Sequence, residues 1–331
     1  MSLAPSMDTE FLKVEEQLVK FAKTCRNVER TYQKLKTTVP SDDSKREVAR
    51  AYWDVFNAVE AFQLTFPNDD LTHHKQLFRN KLMPLLGRCK YTWRSLYKPN
   101  GYAGDFRIID WMYHLENSAG NDPTQPALIN CLEYVFSTNH SVIGLWERRR
   151  WLIALLKKEF KQRDELKILD IACGGARYLK DFMDKLDSPE KVKITLLDQD
   201  PSALAFAEHE TLSNYVTNMT FICEPIKLLP KVLPEEKFDV IISSGLFDYL
   251  PHKIGSSMLA TLTSRLSKNG VLAITNFHVN DKSAISKDWG SDWQLIFRTE
   301  EEVEAMYPEN LTVNTRLSEC GSLVMAHARS A

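Results

Sequence analysis

Apolar positions recur at helical spacing through the first third of the chain and at strand spacing through most of the second half. Phe11, Val14, Leu18, Phe21, Cys25, Val28, Tyr32 and Leu35 lie three or four residues apart. They share one face of a long helix that Pro40–Ser41 ends. Val48, Tyr52, Val55, Val59, Phe62 and Phe66 form a second stripe, closed by Pro67–Asp70, and the two helices are expected to pack as a hairpin. A third helical stretch is expected from His73 to Tyr97, kinked at Pro84. These stripes read as core packing. Tyr97–Phe106 has Pro99, Gly101 and Gly104 and no amphipathic period, yet it carries aromatic and charged residues. Asn117–Pro123 reads as an ordinary linker. The expected division is a tail over 1–7, opening on a Met1–Leu3 cloning scar, a helical domain over 8–120, and an α/β domain over 121–331.

Two helices lead into that second domain, the later one running from about Ser141 to Phe160 with Leu145, Arg149, Leu152 and Leu156 on one face. A guanidinium on an apolar stripe is salt-bridged, snorkelling or turned to a polar cavity. Strands are then expected at 167–171, 192–198, 219–223, 238–243, 270–276, 311–317 and 322–327, alternating with helices at first. This rhythm implies a doubly wound, mostly parallel sheet. Only Ser318–Gly321 joins the last two strands, which permits a hairpin but no parallel crossover. Thr299–Glu302 is a capping box for the last helix.

The first strand runs into Asp170-Ile171-Ala172-Cys173-Gly174-Gly175-Ala176-Arg177, a turn of small residues opening a helix, where backbone N–H groups approach a polar ligand. The second strand ends on Asp198, the position at which such sheets hold a ribose diol. A dinucleotide turn wants a third glycine where this chain has Arg177. The segment instead resembles the D-x-G-x-G-x-G turn of class I S-adenosylmethionine-dependent methyltransferases, with Ala172 and Ala176 replacing two glycines. Glu224 after the third strand, Ser243–Gly245 after the fourth and Ser267–Leu272 entering the fifth extend that resemblance over 165–331. It implies a Rossmann-like seven-stranded sheet with a terminal antiparallel hairpin, beneath an N-terminal helical cap. It also implies S-adenosyl-L-methionine held by Asp170, Ala172, Cys173, Gly174, Asp198, Gln199, Glu224, Ser243 and Ser244.

The chain lacks the N/D-P-P-Y of amino-methyltransferases after its fourth strand, and it lacks a Pro-Cys nucleophile. The net charge is -2, so nucleic acid is not an expected partner. No apolar run reaches a bilayer span and no signal-peptide pattern opens the chain, so a cytoplasmic protein without stable membrane association is expected. Six cysteines without Cys-x-x-Cys spacing read as reduced thiols, with no metal site. Asn100–Asp105, Asp170–Gly174, Asn276-Phe277-His278 and Trp293–Arg298 together resemble a bacterial methyltransferase group labelled for 3-hydroxypalmitic acid methyl ester biosynthesis, over 97–331. That resemblance implies O-methylation of a small, fatty carboxylic acid, with Tyr102, Arg149, His278 and Arg298 as catalytic candidates. His140, Asp105, Arg107, Trp289 and Gln294 are further polar candidates. N- or O-methylation of another metabolite, and a non-catalytic S-adenosylmethionine sensor, stand as alternatives. A homodimer is one expected assembly.

Overall fold

The computed structural model describes residues 6–232 and 235–330. Most of the expected tail lies outside those residues, and Met7 already opens the first helix. Two compact units form: the chain through Val142 with Lys282–Gln294, and Ile143–Asp281 with Leu295 onward.

The first unit is helical. α1 (Met7–Leu35) starts on Ser6, whose side chain accepts from Thr9 N, and α2 (Asp42–Thr65) starts on Ser41, which accepts from Ser44 N. The Tyr32 hydroxyl, at the end of α1, accepts from Ser41 N at 2.6 Å and ties the hairpin together. The expected stripes are the buried faces of both helices. The third stretch is two helices where one was expected: α3 (Thr72–Leu86) contains Pro84, and the chain breaks at Gly87–Cys89 before α4 (Lys90–Tyr97). Pro84 stands four residues from the only carbonyl it deprives of a donor, while Gly87 and Arg88 supply the turn. α5 (Phe106–Ser118) and α6 (Ala127–Ser137) complete the set.

α6 stays with the helical unit, past the division the sequence suggests at residue 120. Phe136 packs against Tyr52 and Tyr91, and the buried Asn130 donates to the Thr38 and Asp122 carbonyls. Residues 282–294 join this unit through Trp289, fully buried against Phe62 and Phe78, with its indole N–H on Gln63. Arg79 donates to the Asp288 and Trp289 carbonyls, Lys75 pairs with Asp288, and Lys98 pairs with Asp292.

The second unit holds a seven-stranded sheet: β1 (Leu166–Ile171), β2 (Val192–Asp198), β3 (Met219–Cys223), β4 (Phe238–Ser244), β5 (Leu266–Phe277), β6 (Thr312–Leu317) and β7 (Leu323–Arg329). Their order is β3-β2-β1-β4-β5-β7-β6, with β7 antiparallel to β5 and β6, as the short Ser318–Gly321 link requires. β5 begins four residues before its expected start, because a bulge lets Phe238 pair with Leu266 and Val240 with Val271.

α7 (His140–Phe160) supplies Leu152, Leu155 and Leu156 to the core on one sheet face, with Ile168, Ile194, Val240, Ile242 and Ala273. Gly144 lets α7 approach β7: a Cβ there would stand 2.2 Å from Ser322 Oγ. At the far end of α7, Glu159 receives Arg163 and Arg329. The remaining helices are α8 (Arg177–Met183), α9 (Pro201–Phe206), α10 (Leu229–Val232), α11 (His252–Thr263) and α12 (Glu300–Glu304). α12 carries the expected capping box on Thr299 and Glu302. No described helix is long and apolar enough to cross a membrane.

Candidate active site

Strand order reverses between β1 and β4, so the loops leaving their carboxyl ends part and leave a crevice. The turn after β1 borders it. Ala172, Gly174 and Ala176 all adopt left-handed conformations, with φ of 54°, 54° and 51°. That backbone path is why the resembling family prefers glycine here, and the two alanines retain it at a steric cost of about 1 kcal/mol each.

Asp198 fixes the turn from the tip of β2. One carboxylate oxygen accepts from Gly174 N and the other from Asp200 N, both at 2.9 Å. Each oxygen keeps a further lone pair for a hydroxyl donor. Burial raises its carboxyl, while the Asp200 and Gly174 N–H groups oppose the rise. Gln199 is exposed beside it, and Glu224 is half-buried, its N–H on the Asp198 carbonyl at 3.1 Å.

Asp170 is wholly buried on β1, and neither carboxylate oxygen has a well-formed hydrogen bond. Burial pushes its carboxyl up to about 8. Asp198 adds to the rise, and the Tyr178 hydroxyl and Arg148 guanidinium oppose it. Two orphaned oxygens in a crevice at the switch point fit a polar, cationic ligand. The Cys173 thiol is pushed well above its ordinary value by burial, with Asp170 and Asp198 adding to it, which keeps it neutral in the turn. Ser243 is buried, its hydroxyl on the Ile171 carbonyl at 3.1 Å, joining β4 to β1; Ser244 is half-buried one residue on.

The expected catalytic residues have distinct placements. Arg149 pairs with Asp181 of α8 at 2.5 Å. Its neighbour Arg148 is the buried one, donating to the Ser244 carbonyl at 3.5 Å, with Gly245 close by. Both arginines follow Leu145 at helical spacing, so the sequence does not separate them.

His278 is buried, with Nε2 3.0 Å from Glu300 and Nδ1 accepting from Asn280 N. Arg298 is buried, and its guanidinium donates to the Phe247 and Leu250 carbonyls and to Asn276 Oδ1. Tyr102 is half-buried in the helical unit, and His140 is the first residue of α7.

Around Tyr102, the Asn100–Asp105 segment is a packed turn. Arg94 reaches Asp105 and Asn100, and Asp105 also caps α5 by accepting from Arg107 N and Ile108 N. Gly104 lies against Trp293, where a Cβ would stand 2.1 Å from the indole. Two distant pieces of the resemblance thus meet in one unit, which accounts for the glycine.

Residues 162–315 match the family described as a methyltransferase domain. Two curated relatives are both described as malonyl-[acyl-carrier protein] O-methyltransferase. That of Paenibacillus sp. (strain JDR-2) is 28% identical over 138 residues, 40% of this chain and 48% of the relative. That of Bacillus cytotoxicus is 27% identical over 128 residues, 39% of this chain and 41% of the relative. The chain thus spans about half or less of the length of these relatives. A solved structure described as a possible exported protein from Bordetella parapertussis shares the fold across 96% of both chains, at a TM-score of 0.56 and 16% identity. With this sheet order, this turn and this family match, residues 162–315 form a methyltransferase domain with the architecture of the class I S-adenosylmethionine-dependent enzymes.

Proposed function

We propose that the protein methylates the carboxylate of a small acyl or hydroxy-acyl acid, giving a methyl ester. The observation that carries this reading is the engagement of His278. Both its ring nitrogens meet protein partners, Glu300 and Asn280, so it is poorly placed to take a proton from an acceptor. A carboxylate arrives ionised and asks for no general base, unlike an alcohol or an ammonium. The O-methyltransferase relatives, described by a malonyl substrate, support an acyl acceptor.

In this reading Asp198 receives the ribose hydroxyls and Glu224 lies toward the adenine. Gln199 flanks the ribose. Asp170 and the Ala172–Gly174 turn border the amino-acid end, with Ser243 and Ser244 beside it. When bound, the cofactor supplies a methyl group already activated by a sulfonium. An acceptor carboxylate oxygen forms the new C–O bond as the C–S bond breaks. The electron pair goes to sulfur, the two opposite charges cancel, and no proton moves. The protein's task is alignment and exclusion of water.

The test supplies methyl-labelled S-adenosylmethionine with 3-hydroxy long-chain acids, short dicarboxylic acids and a malonyl group on an acyl carrier protein. A labelled product that loses its label in mild base is the expected ester. A base-stable product would overturn carboxylate methylation. Asp198→Ala should abolish S-adenosylhomocysteine binding; unchanged affinity would overturn the cofactor placement.

A further inference from the structure

The loop after β4, residues 245–250, borders the same crevice, and a set of hydrogen bonds fixes its path. Phe247–Tyr249 form one 3-10 turn, in which the Phe247 carbonyl accepts from Leu250 N at 3.3 Å and keeps a second lone pair. Arg298 spans that turn: one terminal nitrogen donates to the Phe247 carbonyl at 2.7 Å and the other to the Leu250 carbonyl. The first also donates to Asn276 Oδ1 at 2.6 Å, and the Asn276 amide donates to the Ile296 carbonyl at 2.8 Å. Asp248, itself buried, accepts from Phe277 N at 2.6 Å through its side chain and from Ile296 N at 2.7 Å through its carbonyl. The loop is therefore pinned between the end of β5 and the chain returning at 296–298. These two segments bracket residues 282–294, which join the helical unit.

We propose that Arg298 is a positioning residue, which with Asp248 and Asn276 holds the 245–250 loop in the shape that presents the acceptor to the methyl donor. This rests on the methyltransferase reading of the crevice, but not on which acceptor is used. The planar guanidinium is what makes the device work: its two terminal nitrogens reach carbonyls three residues apart, and a lysine ammonium in the same place has no such fork. Burial lowers the Arg298 pKa, with Asp248 and Glu302 opposing, and a guanidinium stays charged all the same. The cofactor-side anchors, Asp170 and Asp198, hang on β1 and β2 and share none of these bonds.

Arg298→Lys in the full chain tests this with two readouts. In amide hydrogen exchange with S-adenosylhomocysteine bound, residues 246–250 should exchange about tenfold faster or more, while the β1 turn stays as protected as in the parent. By calorimetry, the S-adenosylhomocysteine Kd should stay within about threefold. With an acceptor found in the ester assay, kcat should fall at least tenfold while the KM for S-adenosylmethionine is unchanged. Asp248→Ala, which removes one acceptor without emptying the arginine's site, should reproduce the same split and covers a poorly folding Arg298 variant. Unchanged exchange in 246–250, or cofactor affinity falling in step with kcat, would overturn the proposal. If no acceptor is ever methylated, the exchange and binding arms still decide it.

Discussion

Replacing Asp170 with asparagine keeps the shape of a wholly buried side chain and removes its charge. In the unfolded chain the carboxyl titrates near its ordinary value, about 3.9, whereas burial in the fold pushes it up to about 8. The folded state therefore holds a proton that the unfolded state has released at every pH between these values. Proton uptake on folding makes stability fall as pH rises across that window. From the two values the penalty is about 2 kcal/mol at pH 5 and about 4–5 kcal/mol at pH 7.5, and it levels off above about pH 8. Asparagine carries no such penalty, so Asp170→Asn should stabilise the cofactor-free protein, by more at pH 7.5 than at pH 5. Urea unfolding across pH 5–8.5 measures this, read on the transition that S-adenosylhomocysteine shifts. The same carboxyl should release a proton when S-adenosylmethionine brings its cationic sulfonium and ammonium near it. Calorimetry in two buffers of different ionisation heat would read that release below pH 8, and the variant should show none. A stability difference that is absent, or flat between pH 5 and 7.5, would refute the reasoning.

Gly104→Ala should destabilise the helical unit by about 2–3 kcal/mol, since the new methyl meets the buried Trp293 indole; a parent-like tryptophan spectrum and melting curve would contradict this. Ala172→Gly should stabilise the second unit by about 0.5–1 kcal/mol, because its φ of 54° is one that glycine adopts without strain, and chemical denaturation would show the gain. Glu159→Gln should cost about 2–3 kcal/mol above pH 5. Burial raises the Glu159 carboxyl, but Arg329 and Arg163 outweigh it and hold it below its ordinary value. Its contribution is thus present above that ordinary value and lost as pH falls through the lowered one, so the two proteins should converge in stability on acidification.

The helical stripes, the seven strands, the terminal hairpin and the β1 turn were legible in the sequence because each rests on local period, local caps or a link too short for any alternative. Thr299 marks a helix start, and Asp198 marks a strand tip, without knowledge of what packs nearby. Where a residue's partner is remote in sequence, only the tertiary structure could decide. Arg148 and Arg149 are equivalent by spacing, and it took Asp181 on another helix to claim one and the β4 terminus to receive the other. Arg298 and His278 carry chemistry-bearing groups in a promising segment, but carbonyls at 247 and 250 and the carboxylate of Glu300 engage them. Residues 282–294 look like a loop between β5 and α12, yet Trp289 and Trp293 take them into the helical unit. Periodicity tells which face of an element is buried; it does not tell which distant group will satisfy a buried charge, and that pairing decides what remains for a substrate.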